Sequence, residues 1–108
     1  MKRGELYLVE HPTKADPKKQ RVLLVVSRQA LINSSYSTVV CAPVYTSYSD
    51  VNTQVILGVE EGLKHQSYAR CDDLVSIPKS MLTNYIGCLS SSKLQELKKA
   101  LRIALAIE

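Results

Sequence analysis

The sequence predicts a mainly β fold: a small twisted, barrel-like sheet with short helical turns and one C-terminal α-helix. Three observations predict it. Short apolar runs recur along most of the chain, separated by polar segments containing Pro, Gly, Ser and Asn, the pattern of many short strands. Apolar residues at helical three- and four-residue spacing stand out at the C-terminus. The 108 residues are the length of one domain, 1–108, enough for one core without disulfide staples.

Residues 4–10 (GELYLVE) alternate, with Leu6 and Leu8 on one face and Tyr7 and Val9 on the other. Residues 11–20 (HPTKADPKKQ) carry two prolines and no apolar run, and read as a loop. Residues 21–27 (RVLLVVS) are continuously apolar after Arg21, as a strand buried on both faces requires. Residues 28–35 read as one or two helical turns, and 37–46 (STVVCAPVYT) as another buried strand. Ser47–Asn52 is a polar loop, 53–58 a strand, and Glu60–His65 a turn around Gly62. Residues 67–77 (SYARCDDLVSI) are strand-like with charges at the centre. Residues 78–84 predict a helical turn with Pro78 at its first position, and 85–89 a short strand. The spacing of Leu94, Leu97, Leu101, Ala104 and Leu105 predicts an amphipathic helix over 91–107, opened by a capping box from Ser92 to Gln95.

Charge is uneven. Residues 1–28 hold seven basic side chains (Lys2, Arg3, Lys14, Lys18, Lys19, Arg21, Arg28) against three acidic ones (Glu5, Glu10, Asp16), a difference equal to the whole net charge of +4. A basic face of this kind fits an anionic partner, although a solvated surface gives the same pattern. No apolar run nears the roughly 20 residues of a membrane helix. The opening MKRGELYLVEHP lacks the apolar centre of a signal peptide. A cytoplasmic protein without membrane contact is the expectation. The three cysteines, Cys41, Cys71 and Cys88, form no C-x-x-C pair, and no histidine pair has metal-ligand spacing. Buried reduced thiols, with no metal and no cofactor, are expected.

Four segments, taken together, resemble the PemK/MazF family of toxin endoribonucleases over roughly 2–105. KRGELYLVE resembles the family's opening strand, and RVLLVVS its second, arginine-led strand. TVVCAPVYTS resembles the strand that ends in a small hydroxyl residue, and EEGLKHQSYARCDDLVSIPKSML the segment centred on Cys-Asp. Their order, their spacing and the leucine helix make the match specific. The resemblance implies an SH3-like barrel that acts as a homodimer. It further implies metal-independent cleavage of single-stranded RNA by the neighbouring 2′-hydroxyl, leaving a 2′,3′-cyclic phosphate and a 5′-hydroxyl. It implies a cognate antitoxin that blocks the groove with an acidic, flexible tail.

Such chemistry needs a proton acceptor, a proton donor and a cation facing the developing phosphoryl charge. Arg21 matches the family's strand-opening arginine and suits that last role, because its fork binds two phosphate oxygens. Thr46 is the candidate for the hydroxyl position, with Tyr45 as the alternative one residue earlier. Arg70 and Asp72, at i and i+2, are expected on one strand face as a phosphate clamp and proton acceptor, or as a structural ion pair. Lys18, Lys19 and Gln20 are candidates for the RNA backbone; Tyr45, Tyr48 and Tyr68 are candidates for base stacking, or else core or surface tyrosines. His11 and His65 do not match a functional position of the family. The loop before Arg21 is shorter than in relatives and lacks glycine; Pro17 stiffens it, and Val22 replaces the usual proline. Two other readings fit the resemblance less well. One is a catalytically impaired module that keeps only RNA or antitoxin binding. The other is a gyrase-directed toxin of related fold, disfavoured because the chain has no Trp.

Overall fold

The computed structural model describes residues 1–10, 14–16 and 19–108. The positions predicted at His11, Pro17 and Lys18 lie outside the described residues. Among the described residues, seven strands and two helices follow in the order β1 (Glu5–Glu10), β2 (Gln20–Val25), α1 (Gln29–Asn33), β3 (Thr38–Tyr45), β4 (Gln54–Leu57), β5 (Ser67–Arg70), β6 (Val75–Pro78), β7 (Asn84–Cys88) and α2 (Ser91–Ala104). All the pairings are antiparallel, in the order β4-β5-β3-β2-β1-β7, with β6 also on β3. The result is a curled half-barrel, as the apolar runs predict.

The alternation of β1 is realised. Leu6 joins a core with Leu24, Ala42, Val55, Leu57 and Ala69, which Leu97 and Ala100 of α2 cover. Tyr7 and Val9 join a second core on the other face with Leu23, Val25, Val39 and Cys41, covered by Ile32 of α1 and by Leu82. β2 lies between β1 and β3 and is buried on both faces, which is why its apolar residues run without a break. The short helix α1 is tied down at its end: Lys79 Nζ donates to the carbonyls of Leu31 at 3.1 Å and Ser34 at 2.7 Å.

Curling brings the turn after β4 against β7. That 3-10 turn, Val59–Glu61, ends at Gly62 with φ +94°. A Cβ on Gly87 would sit 2.1 Å from the Glu61 carbonyl oxygen, and one on Gly62 2.6 Å from the Ile86 carbonyl oxygen. Backbone meets backbone at this contact, and only hydrogen fits between.

Four expectations need correction. Residues 67–77 are not one strand. A 3-10 turn at Cys71–Asp73 splits them into β5 and β6, which pair with opposite ends of β3. The cap of α2 is Ser90, whose Oγ accepts from the Lys93 amide at 3.2 Å, and the helix stops at Ala104; Leu105, placed in the docking stripe, is exposed. Ala100 takes the buried place, because its small side chain fits close to the sheet. Pro78 closes β6, and the turn that follows is a 3-10 turn at Lys79–Met81. Of the three free cysteines, Cys41 and Cys71 are buried but Cys88 is exposed, since it ends a strand at the sheet's edge.

Candidate functional site

The β2–β3 register sets Val22 opposite Val44, so Arg21 runs alongside Tyr45 and Gln20 alongside Thr46 at the end of the ladder. Here the strands run out and leave an open groove of about 560 Å³. Lys19, Gln20, Arg21, Tyr45 and Thr46 line it, together with Val22 and Val44. Three of the four predicted positions at the β2 entrance, Lys19, Gln20 and Arg21, thus meet the Tyr45–Thr46 hydroxyl pair in a single place, while Lys18 lies outside the described residues. Both Tyr45 and Thr46 reach the groove, Tyr45 as the last strand residue and Thr46 just beyond it. The groove has two cations, Lys19 and Arg21, and among the described residues no carboxylate lines it.

Arg70 reaches the same end of β3 from the other side. β5 sets Tyr68 opposite Tyr45, which places Arg70 two residues on and on the same face. Its guanidinium carbon lies 4.3 Å from the centre of the Tyr45 ring. Its Nη2 donates to the Ser47 carbonyl at 2.9 Å and meets the Ser47 hydroxyl at 3.1 Å. Arg70 is therefore next to the groove through Tyr45, with its fork turned to the loop that follows β3.

Asp72 is not with it. The expected Arg70–Asp72 pair on one strand face does not form, because β5 ends at Arg70 and the chain turns. The Asp72 carboxylate instead accepts from the Thr53 hydroxyl at 2.5 Å, while the Thr53 carbonyl accepts from the Cys71 amide at 3.0 Å. Between Arg70 and Asp72, the Cys71 thiol is pushed up to about 11, by burial first and by the Asp72 charge second. A thiol held neutral this way is a poor nucleophile.

Tyr48 stands exposed on the loop after β3, its ring edge-on to Tyr68 at 5.5 Å and its hydroxyl 3.3 Å from Asp50. His65 is exposed, away from the lining of the groove. Among the described residues no group of three or more His, Cys, Asp or Glu side chains is placed to hold a metal ion. Among the described residues no helix is long and apolar enough to cross a membrane.

The sequence reading missed Ser47 and Gln54. Gln54 lies opposite Arg70 on β4, and its Nε2 donates to the Ser49 carbonyl at 2.6 Å. Arg70 and Gln54 thus hold two residues of one loop, Ser47 and Ser49. Each also keeps one buried polar atom without a hydrogen-bond partner among the described residues, Nε of Arg70 and Oε1 of Gln54. The signal for Gln54 was the antiparallel register around Gly62, which a strand assignment without pairing does not provide. Chemically, the groove offers an anion two positive charges, a hydroxyl and an aromatic face.

The sequence model of the PemK-like, MazF-like toxins of type II toxin-antitoxin systems matches residues 2–105. No curated protein matches the chain significantly in sequence. Among solved structures, the Mycobacterium tuberculosis toxin MazF-mt6 matches with a TM-score of 0.82 at 24% identity, over 96% of this chain and 98% of that one. An endoribonuclease in complex with its cognate antitoxin, from a mycobacterial species, matches with a TM-score of 0.83 at 23% identity, over 98% and 95%. A MazE-MazF structure from Deinococcus radiodurans matches with a TM-score of 0.76 at 19% identity, over 100% and 97%. At these identities the likeness establishes a common fold.

Proposed function

Because this chain belongs to the PemK-like, MazF-like toxins of type II toxin-antitoxin systems, we propose that it is a metal-independent, sequence-selective endoribonuclease acting on single-stranded messenger RNA in the cytoplasm. The observation that carries the proposal is the groove where Arg21, Thr46, Tyr45, Lys19 and Gln20 meet at the ends of two adjacent strands.

In this reading the 2′-oxygen attacks the neighbouring phosphorus in line and the bond to the 5′-oxygen breaks. The 2′-proton leaves to a base, and the departing oxygen gains one. Arg21 clamps two non-bridging oxygens and faces the charge that grows on them. The Thr46 hydroxyl donates to the same phosphoryl group. Lys19 attracts the RNA backbone, and Arg70 adds charge from β5 while fixing the Tyr45 ring as a stacking surface. Tyr48 supplies a second exposed ring. Asp72, whose carboxylate accepts from Thr53 just before β4, acts here as a positioning residue rather than as the proton acceptor. A homodimer would extend the groove across two copies, and an antitoxin with an acidic, flexible tail would compete for its cations. A lone 12.0 kDa species in sedimentation at micromolar concentration would contradict the dimer.

The test is purified protein with EDTA on a long single-stranded RNA at low salt. Fragments ending in a 2′,3′-cyclic phosphate and starting with a 5′-hydroxyl are expected. Arg21→Ala should slow their appearance roughly 100- to 1000-fold, the loss typical of one charge-stabilising donor. RNA left intact across many sequence contexts would overturn the reading.

A further inference from the structure

A second groove, of about 480 Å³, adjoins the first. Gln20 lines both, and Glu10 lies directly opposite Gln20 across the β1–β2 ladder. Gln20 is therefore the residue that the two spaces share. Besides Glu10 and Gln20, the second groove presents Ser80, Met81, Thr83 and Asn84.

The chemistry of the two grooves is opposite. The first holds Lys19 and Arg21 without a carboxylate; the second holds Glu10 and, among the described residues, no cation. A phosphate is attracted to the first and repelled by the second. What the second offers is a set of neutral donors and acceptors on two amides and two hydroxyls, one carboxylate, and the Met81 side chain, which is 44% exposed. An exposed, polarizable thioether beside hydrogen-bonding groups suits a planar heterocycle: one surface to pack its face, several groups to meet its edge.

We infer that the second groove is a base-reading subsite for a nucleotide next to the phosphate held by Arg21, and that Glu10 makes it select guanine. The inference rests on the endoribonuclease reading above. Guanine presents N1–H and N2–H side by side, a match for the two oxygens of a carboxylate. Adenine and cytosine offer a single amino group, and uracil one imino proton between two carbonyls that a carboxylate repels. Gln20 and Asn84, each donor and acceptor at once, meet the rest of the edge.

The test is a pool of single-stranded RNA with random sequence, digested in EDTA by the wild type, Glu10→Gln and Asn84→Ala, with the cut sites sequenced. Both positions are exposed, so the variants should fold, which circular dichroism verifies. The wild type should show guanine enriched at one position beside the cut. Glu10→Gln should reduce that enrichment about fivefold or more at that position alone, and Asn84→Ala should weaken it. No guanine enrichment in the wild type, or an unchanged profile in Glu10→Gln, would overturn the subsite. Should the wild type cut nothing, the nuclease reading falls by itself, and sequences retained from the same pool in a filter-binding assay decide the subsite. Guanine enrichment lost in Glu10→Gln then supports it, and retained sequences without guanine enrichment refute it.

Discussion

The Arg70 guanidinium lies over the Tyr45 ring at 4.3 Å while its Nη2 holds Ser47. The ring of Tyr45 is thus the floor of a cation stack, worth about 0.5–2 kcal/mol depending on its exposure to water. In the proposed reading Tyr45 acts through its ring face, not through its hydroxyl. The open question between Tyr45 and Thr46 becomes an experiment. Tyr45→Phe keeps the stack and should leave RNA cleavage within about threefold, whereas Thr46→Val, which removes the hydroxyl at equal volume, should cost tenfold or more. Single-turnover rates at saturating protein measure both, and a larger loss in Tyr45→Phe than in Thr46→Val would reverse the assignment.

Asp72 is bound to Thr53, and Thr53 is buried. A hydrogen bond to a charged group contributes about 1.5–3 kcal/mol. Thr53→Val should therefore lower the urea stability by that order, and Asp72→Asn should lower it less, since an amide oxygen still accepts. Combining the two should give a loss smaller than the sum, the mark of a direct contact. Fully additive losses would mean that the carboxylate has another partner in solution. If Asp72 acts only by position, Asp72→Asn should also leave the pH profile of cleavage unchanged.

The approach of β7 to the turn after β4 makes a sharp demand at Gly87. A methyl there would collide with the Glu61 carbonyl, and both sides of the contact are backbone, so neither can swing away. Gly87→Ala should destabilise the fold by about 2 kcal/mol or more, at the upper end of overpacking penalties. Gly58→Ala is the control, because the space beside Gly58 is open. Equal thermal midpoints for the two variants would mean that the half-barrel does not close at this contact.

The strands were legible because their periods are local. Leu6 against Tyr7 in β1, and the unbroken run of β2, reveal their faces without any partner. Arg21 was legible because it stands at the boundary between the loop and that run. The split after Arg70 was not. Its cause is a tertiary contact, the Cys71 amide on the Thr53 carbonyl, and residues 67–77 otherwise have strand composition. The same holds for Ser47 and Gln54, whose places follow from a register that sequence spacing leaves open by one residue. Thr46 and Tyr45 both reach the groove because the ladder ends between them, so the alternation that separates strand neighbours no longer applies. Leu105 fits the helical stripe, yet α2 ends one residue before it.

Alkaline pH gives a further prediction from the buried acids. Burial pushes the Cys41 thiol up to about 12 and the Cys71 thiol up to about 11, from 9.0. Tyr7 is pushed up from 10.0 to about 12, by burial first and then by the hydroxyl it donates to Glu5 at 3.0 Å. All three have folded values above their unfolded ones, so their contribution to stability is fully present below pH 9 and is lost as pH rises toward 12. Each group removes up to about 1.4 kcal/mol per pH unit only between its own unfolded and folded values, where the unfolded chain ionises and the folded chain does not: pH 9 to about 12 for Cys41, 9 to about 11 for Cys71 and 10 to about 12 for Tyr7. The urea midpoint should hold up to about pH 8.5 and then fall steeply. Cys41→Ala, although weakened by its cavity, should show a shallower fall over the same range. Thiol labelling at pH 8 supplies the parallel measurement: in the native state only the exposed Cys88 should react quickly, and Cys41 and Cys71 only after unfolding. A wild-type midpoint independent of pH between 8 and 11, or fast labelling of all three thiols in the native chain, would mean that the two cores admit water at these positions.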